Sequence, residues 1–373
     1  VENEAGAESS ALTAPPRAAL VPLRRGRASV VHLPGHWFIA ATSRELRNKP
    51  LGTTLFGTPI VLFRGEDGRA GALIDRCPHR NVPLSLGEVK DGTLRCPYHG
   101  WRFATDGACT FIPSLTGSPA AKARNAHALP TIEQQGFVWV YTGAFQGELT
   151  EPPRTEPHRF AFLGAKDYTT VTQVVEAEGT MYSTIENALD VPHTAFLHRG
   201  LFRSESRGLT IQAKVSRTRD RAVAEYVGEP RPPGLIARIL SPSGGVVTHF
   251  DRFIMPSIAQ VEYSIGTENH ILVDSVMTPI SDFHTRIYAV VSFRTRLPAF
   301  LIRPFVKPLA LRVFKQDAQI LKKQTETIQA FGGEQFASTE IDVLGKHIWR
   351  LLKAAERGDG QVGDETDEVS LVV

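Results

Sequence analysis

Two short segments constrain this chain more than anything else in it: Cys77-Pro-His79-Arg80 and Cys96-Pro-Tyr98-His99-Gly100-Trp101. Each sets one thiol and one imidazole two or three positions apart, beside turn-forming proline or glycine. Only a fold that brings two such turns face to face can use all four donors at once. The surrounding sequence suits that demand. From Val30 to Tyr141 it is a series of short apolar runs, such as Ile60-Val61-Leu62-Phe63 and Phe137-Val138-Trp139-Val140-Tyr141, broken by Gly, Pro and Asp. This is the pattern of a small all-β unit with many turns.

Two thiolates and two imidazoles could hold tetrahedral zinc. Zinc-binding segments, however, usually group Cys with Cys and His with His. Here each loop mixes the two. That is the donor distribution of a Rieske-type [2Fe–2S] cluster, in which Cys77 and Cys96 would hold one iron and His79 and His99 the other. Neutral imidazoles make such a cluster less negative, which raises its potential and suits it to passing single electrons. Cys109 has no partner at metal spacing and reads as a small buried residue. Three cysteines do not form a secreted disulfide framework, so a reducing, cytoplasmic setting is expected.

A second cluster lies at Asn187-x-x-Asp190-x-x-His193-x-x-x-x-His198. Asn187, Asp190 and His193 are three apart, so on a helix they share one broad face. His198 does not follow at helical spacing, and Pro192 disturbs the local helix, so His198 should reach the same point from an irregular turn. Two histidines and one carboxylate with open positions form the facial triad of non-haem Fe(II) oxygenases. Either Asp190 or a carboxylate distant in sequence could complete it. Asp317, near the start of a helical stretch at Val313–Ala330, is the expected third ligand. Asp190 then serves as acceptor for an iron-bound imidazole N–H.

The chain has 373 residues, 42% hydrophobic and 22% charged, with a net charge of +3. At roughly 100–200 residues per domain, this length suggests two domains. The positive charge is spread out, which argues against nucleic acid as a partner. Residues 1–29 read as a flexible leader, 30–145 as the cluster domain, 146–160 as a linker and 161–373 as a second domain. In that last part, strand-like runs at Tyr168–Val175, Leu209–Val215, Ala222–Val227, Val246–Ile254, Gln260–Ile265, Ile271–Thr278 and Arg286–Phe293 precede helical patterns at Val313–Ala330 and Ile341–Ala355. The expected class is α+β, a long antiparallel sheet flanked by helices.

Taken together, these motifs resemble the catalytic (alpha) subunit of the Rieske non-haem iron oxygenases, and the resemblance runs from about Val30 to Ala355. Cys77, His79, Cys96 and His99 match the family's cluster ligands. His193, His198 and Asp317 match its mononuclear iron ligands, Asp190 the acidic residue linking the two metal sites, and Asn187 a polar residue near the iron. The resemblance implies an N-terminal Rieske β-domain and a C-terminal helix-grip (START-like) catalytic domain. It implies a head-to-tail homotrimer in which one subunit's cluster serves its neighbour's iron. It also implies O₂ as co-substrate, and NAD(P)H as electron source through a separate reductase, with or without a ferredoxin. The single-subunit pattern resembles the monooxygenase and demethylase branch.

Substrate is less legible. Apolar strands around the proposed iron suit a bulky hydrophobic ring such as a sterol or steroid. The alternative is O- or N-demethylation of a small aromatic. The segment Leu297–Arg312 mixes apolar and basic residues; it either packs on the sheet or makes peripheral membrane contact. Two readings from other classes stand beside the oxygenase: a Rieske electron carrier with a binding domain, and a zinc-bearing protein that binds hydrophobic ligands. Iron content separates them, because a carrier needs only the cluster.

Overall fold

The computed structural model describes residues 33–147, 149, 151–198, 210–229, 247–266, 269–295, 299–359 and 362–372. The expected leader lies outside them. So do Leu209 and Val246, at the ends of two expected strands.

The amino-terminal half is built of strands and short 3₁₀ turns. Trp37–Thr42, Thr131–Gln134 and Phe137–Tyr141 form a three-stranded sheet. Leu51–Leu55, Thr58–Arg64, Ala70–Ile74 and Ala128–Leu129 form a four-stranded one. A second four-stranded sheet comprises Glu88–Lys90, Thr93–Arg95, Arg102–Phe103 and Cys109–Phe111. Val61, Phe63, Leu73, Leu94 and Phe103 are fully buried and pack around Cys77, Cys96 and Cys109. The stretch read as a linker is tied to the first sheet: Trp37 Nε1 donates to the Thr155 carbonyl at 2.7 Å, and Gln134 Nε2 donates to that of His158 at 2.9 Å.

The carboxy-terminal half centres on an eight-stranded antiparallel sheet. Its order is Thr169–Ala177, His284–Arg294, Asn269–Ser281, Ile258–Ile265, Val247–Ile254, Arg221–Val227, Thr210–Arg217 and Glu365–Val372. In Arg221–Val227 and Val247–Ile254 buried and less buried residues alternate, as in strands with one packed face. The two halves are joined by backbone as well as side chains. Phe56 and Gly57 N–H donate to the Pro279 and Ile280 carbonyls at 2.8 Å each, and the Thr278 hydroxyl donates to the Ile39 carbonyl.

Four helices accompany this sheet among the described residues: α1 (Met181–Leu189), α2 (His193–Phe196), α3 (Ala299–Ala330) and α4 (Gly345–Arg357). The Thr180 hydroxyl caps α1 by accepting from Ser183 N–H at 3.0 Å. Ile185 and Leu189 of α1 share one buried core with Ile348, Leu351 and Leu352 of α4 and with Ala222, Ala224 and Phe253 of the sheet. Long α3 packs along the edge strand Thr169–Ala177.

Two expectations change. Asn187, Asp190 and His193 do not share one helix: α1 stops at Leu189, and α2 starts afresh at His193. Pro192 cannot donate the amide hydrogen bond that would continue the helix. Helix α3 begins at Ala299, well before the expected Val313, and contains Pro304 and Pro308. Residues 299–312 therefore belong to this helix. Ile302 is buried against Val171, Val291 and Phe293, while Phe300 and Phe305 are each 74% exposed. No helix among the described residues is long and apolar enough to cross a membrane.

Candidate metal centres

The two cysteine loops close in the same way. Asn81 N–H donates to the Cys77 carbonyl at 2.9 Å, and Gly100 N–H to the Cys96 carbonyl at 3.1 Å. Cys77 N–H donates to Val82, and Cys96 N–H to Trp101. Each loop turns on a left-handed residue, Asn81 at φ 60° and Gly100 at φ 69°. Gly and Asn are the residues that adopt this conformation most readily. Asp75 braces the first loop by accepting from the Ser85 N–H and hydroxyl at 2.7 and 2.5 Å.

This geometry buries both thiols and brings the His79 and His99 rings to 4.5 Å, with Trp101 stacked on His79 at 4.7 Å. Burial, together with the adjacent Cys96 thiol, pushes Cys77 up to about 11. His79 Nδ1 is buried without a hydrogen-bond partner. Paired thiols in an apolar core beside an orphaned imidazole nitrogen fit a cationic group shared between the loops. The four donors need not meet at one point, since each iron of a Rieske cluster takes only two of them. Cys109 is buried in the same core and hydrogen-bonds weakly to Phe111.

The second centre draws its donors from separate helices. His193 Nε2 lies 3.3 Å from His198 Nε2 and 3.7 Å from Asp317 Oδ1; His198 Nε2 lies 3.0 Å from the same oxygen. Behind His193, Asp190 Oδ2 accepts from its backbone N–H at 3.0 Å and stands 3.2 Å from Nδ1. Behind His198, Gln316 Oε1 stands 3.0 Å from Nδ1. A carboxylate and an amide oxygen only accept, so both rings carry their proton on Nδ1. Both Nε2 lone pairs then face Asp317 Oδ1, which is buried without a hydrogen-bond partner. Two imidazole nitrogens and a carboxylate oxygen converging this closely fit a metal ion. Burial opposes charge on His193, but the Asp190 hydrogen bond and the charges of Asp190 and Asp317 outweigh it and raise the imidazole's pKa.

Beside this centre runs an open cleft of about 600 Å³, lined among others by Glu186, Asn187, Asp190, His193 and Gln324. Asp190 thus has the metal set behind it and an open surface in front. Glu186 is pushed up to about 7, first by burial and then by the charges of Asp190 and Asp342.

The structure brings His193, His198 and Asp317 together, sets Asp190 behind His193, and places Asn187 on the cleft wall. Sequence reasoning missed Gln316, Glu186 and the Trp101 stack. Gln316 directly precedes Asp317, Glu186 directly precedes Asn187, and Trp101 closes the Cys96 motif; adjacency was the available signal.

Sequence profiles cover both halves. The Rieske [2Fe-2S] domain matches residues 36–131, and the vanillate O-demethylase oxygenase C-terminal domain matches residues 178–358. With both domains matched, the chain belongs to the Rieske non-haem iron oxygenase family. It is 34% identical over 166 residues to the oxygenase component of dicamba O-demethylase from Stenotrophomonas maltophilia, covering 44% of this chain and 47% of that protein. The matched stretch thus spans about half the length of that relative. With the vanillate O-demethylase oxygenase subunit of Pseudomonas sp. (strain HR199 / DSM 7063) the identity is 26% over 354 residues, covering 88% of this chain and 96% of the other. Among solved structures, dicamba monooxygenase bound to dicamba superposes with a TM-score of 0.74 at 23% identity, over 88% of this chain and 98% of that one. That likeness supports the same fold: a Rieske β-domain followed by a catalytic domain with a large antiparallel sheet.

Proposed function

We propose that this chain is the oxygenase component of a multicomponent enzyme that oxidatively demethylates a small aromatic ring. The observation that carries the reading is the second centre, where His193 Nε2, His198 Nε2 and a buried Asp317 oxygen converge within 3.7 Å of one another. The expected sterol or steroid gains no support from the relatives, whereas the small-aromatic alternative matches what the dicamba and vanillate enzymes are named for. For a methyl ether, the balance is ArOCH₃ + O₂ + 2e⁻ + 2H⁺ → ArOH + HCHO + H₂O. Held by these residues, a Rieske cluster would supply single electrons and an Fe(II) would supply O₂ chemistry.

The chain's own residues set orientation and connection. Cys77 and Cys96 are the proposed thiolate ligands, and His79 and His99 the imidazole ligands. His99 is exposed and Tyr98 beside it is 62% exposed, so this end of the molecule faces outward. Asp190 and Gln316 hold the two triad imidazoles with Nε2 inward. Asp190 also opens onto the cleft, where an electron donor can approach. We read the working unit as a homotrimer in which an exposed cluster end meets a neighbour's Asp190 cleft. A separate reductase, with or without a ferredoxin, delivers electrons from NAD(P)H, in a cytoplasmic setting.

The test combines metal analysis with turnover. Purified protein should hold about three irons per chain. Chemically reduced enzyme given O₂ and methoxylated aromatics should release formaldehyde and the demethylated phenol. Two irons per chain, or none with zinc, would sink the reading. Mixing Cys77→Ser chains with His193→Ala chains tests the trimer: activity absent from either alone should appear in the mixed assembly.

A further inference from the structure

Helix α3 changes character along its length. From Ala299 to Gln316 its sequence carries Arg303, Lys307, Arg312 and Lys315 but no acid; Asp282 precedes this stretch and Asp317 follows it. At about 100° per residue, the exposed positions of this half fall within one arc of roughly 160°. On that arc Phe300 and Phe305 are each 74% exposed and Leu301 is 49% exposed. Lys307, Arg312 and Lys315 are exposed on the same arc. The opposite side seats the helix. Ile302 is buried among Val171, Val291 and Phe293 with Val306 packed beside it, and Gln173 Nε2 donates to the Lys307 carbonyl at 3.0 Å.

Packing on the sheet and presenting a basic, aromatic surface are therefore not alternatives for this segment; they occupy opposite sides of one helix. Among the described residues no acid pairs with Lys307, Arg312 or Lys315. Glu176 and Glu178, further along the edge strand, are held by Arg286 and Lys322 and do not offset these cations. Two large aromatic rings in water beside unpaired cations call for an occupant that is apolar in one layer and anionic in the next. The prolines limit how deep the helix can sit. Pro304 and Pro308 have no N–H, so the Phe300 and Pro304 carbonyls lack their helical donor on the exposed arc. Those oxygens need water or a headgroup, which excludes the hydrocarbon interior.

We propose that the exposed face of α3 from Phe300 to Lys315 docks on an anionic phospholipid surface. Phe300 and Phe305 enter the boundary between headgroups and acyl chains, and Lys307, Arg312 and Lys315 meet the phosphates, their aliphatic stems lying along the helix. The helix lies in the plane of the surface and does not cross it. The docking face is separate from the metal site and its cleft. From Phe305 to Ile320 on the cleft wall the helix axis runs about 22 Å, so docking leaves the Asp190 cleft open. The proposal is independent of which aromatic ring the iron site takes.

The experiment sediments the full iron-loaded chain with vesicles of phosphatidylcholine, with and without phosphatidylglycerol. Binding to the mixed vesicles should be on the order of tenfold tighter than to phosphatidylcholine alone, and should weaken as salt is raised. Phe300→Ser/Phe305→Ser should lose on the order of tenfold or more in binding, with iron content and assembly size unchanged. Lys307→Glu/Arg312→Glu should erase the preference for phosphatidylglycerol. In Phe305→Trp, tryptophan emission should move to shorter wavelength on adding mixed vesicles, beyond any shift of the parent protein. No sedimentation with either vesicle overturns the proposal. So does binding that both double variants retain, or a Phe305→Trp emission that stays unchanged while the protein sediments. If the serine variant changes the size of the assembly, another copy of the chain covers this face and the lipid reading falls.

Discussion

The two candidate metal centres solve one problem in opposite ways. The cluster loops are local: all four donors lie between Cys77 and His99, on two turns of the same design, each closed by a left-handed residue. The second centre is assembled over distance. Its imidazoles sit around short α2, its carboxylate on long α3, and their meeting depends on how α1 and α3 pack on the sheet and on each other. The first is a motif that a β-unit carries at its tip, and the second is a property of the domain. That difference predicts separable failures.

The largest effects should show this separation. Cys96→Ser should abolish the brown cluster and leave mononuclear iron bound. His193→Ala or Asp317→Ala should do the reverse, taking iron from about three to about two per chain with the cluster absorption intact. Loss of both metals in any one of these variants would break the comparison.

Next comes Asp190→Asn, which should keep both metals yet slow electron arrival on the order of a hundredfold, read by rapid mixing of reduced enzyme with O₂. Its carboxylate holds His193 from behind, and its amide replacement lacks the charge. Gln316→Leu should be milder. It removes the acceptor 3.0 Å from buried His198 Nδ1 and should weaken iron binding about tenfold, measured by competition with a chelator. The cluster should be untouched, because no cluster residue depends on α3.

The smallest expected effect is a pH signature of the cleft. In the iron-free protein the folded state holds the Glu186 proton up to about 7, against an ordinary value of 4.5. Between those values the folded state binds more protons than the unfolded one, so stability falls as pH rises. Thermal unfolding of Glu186→Gln should lose that slope. An unchanged slope would move its origin elsewhere. A second slope belongs to His249, which Asp251 and Glu229 raise to about 9 against the opposing effect of burial. Its contribution is complete below pH 6.5 and is lost as pH rises through about 9, so the two windows are distinguishable.

How much of this was legible in the sequence follows the same division. The cluster loops were readable because thiol, imidazole, proline and glycine fall at fixed short spacings, and the β-rich half because its apolar runs are short and well punctuated. In the larger sheet, apolar strands such as His284–Arg294 stood out. Glu365–Val372 did not, since only Val369 and Leu371 are buried in an otherwise charged run. Helix α3 was read too short because Pro304 and Pro308 mimic a stop; packing of Ile302 on the sheet overrides them. Asn187, Asp190, His193 and His198 stood out by type and spacing, whereas Asp317 lies far off in sequence and had only its helix to mark it. Glu229 beside His249 did not stand out, because it lies 20 residues away in sequence and meets the imidazole only in the folded chain.

Helix α3 is 32 residues long, which at 1.5 Å per residue spans about 48 Å. Two consecutive residues near its middle grip one imidazole from both sides, Gln316 at Nδ1 and Asp317 at Nε2. At its amino end, Phe300 and Phe305 stand in solvent. The helix thus joins an exposed surface to the proposed iron site, seated on the sheet through Ile302 between the two phenylalanines. A slide or tilt imposed on the exposed end shifts both grips together, so the spectrum of a bound iron becomes a gauge of whatever leans on that distant surface.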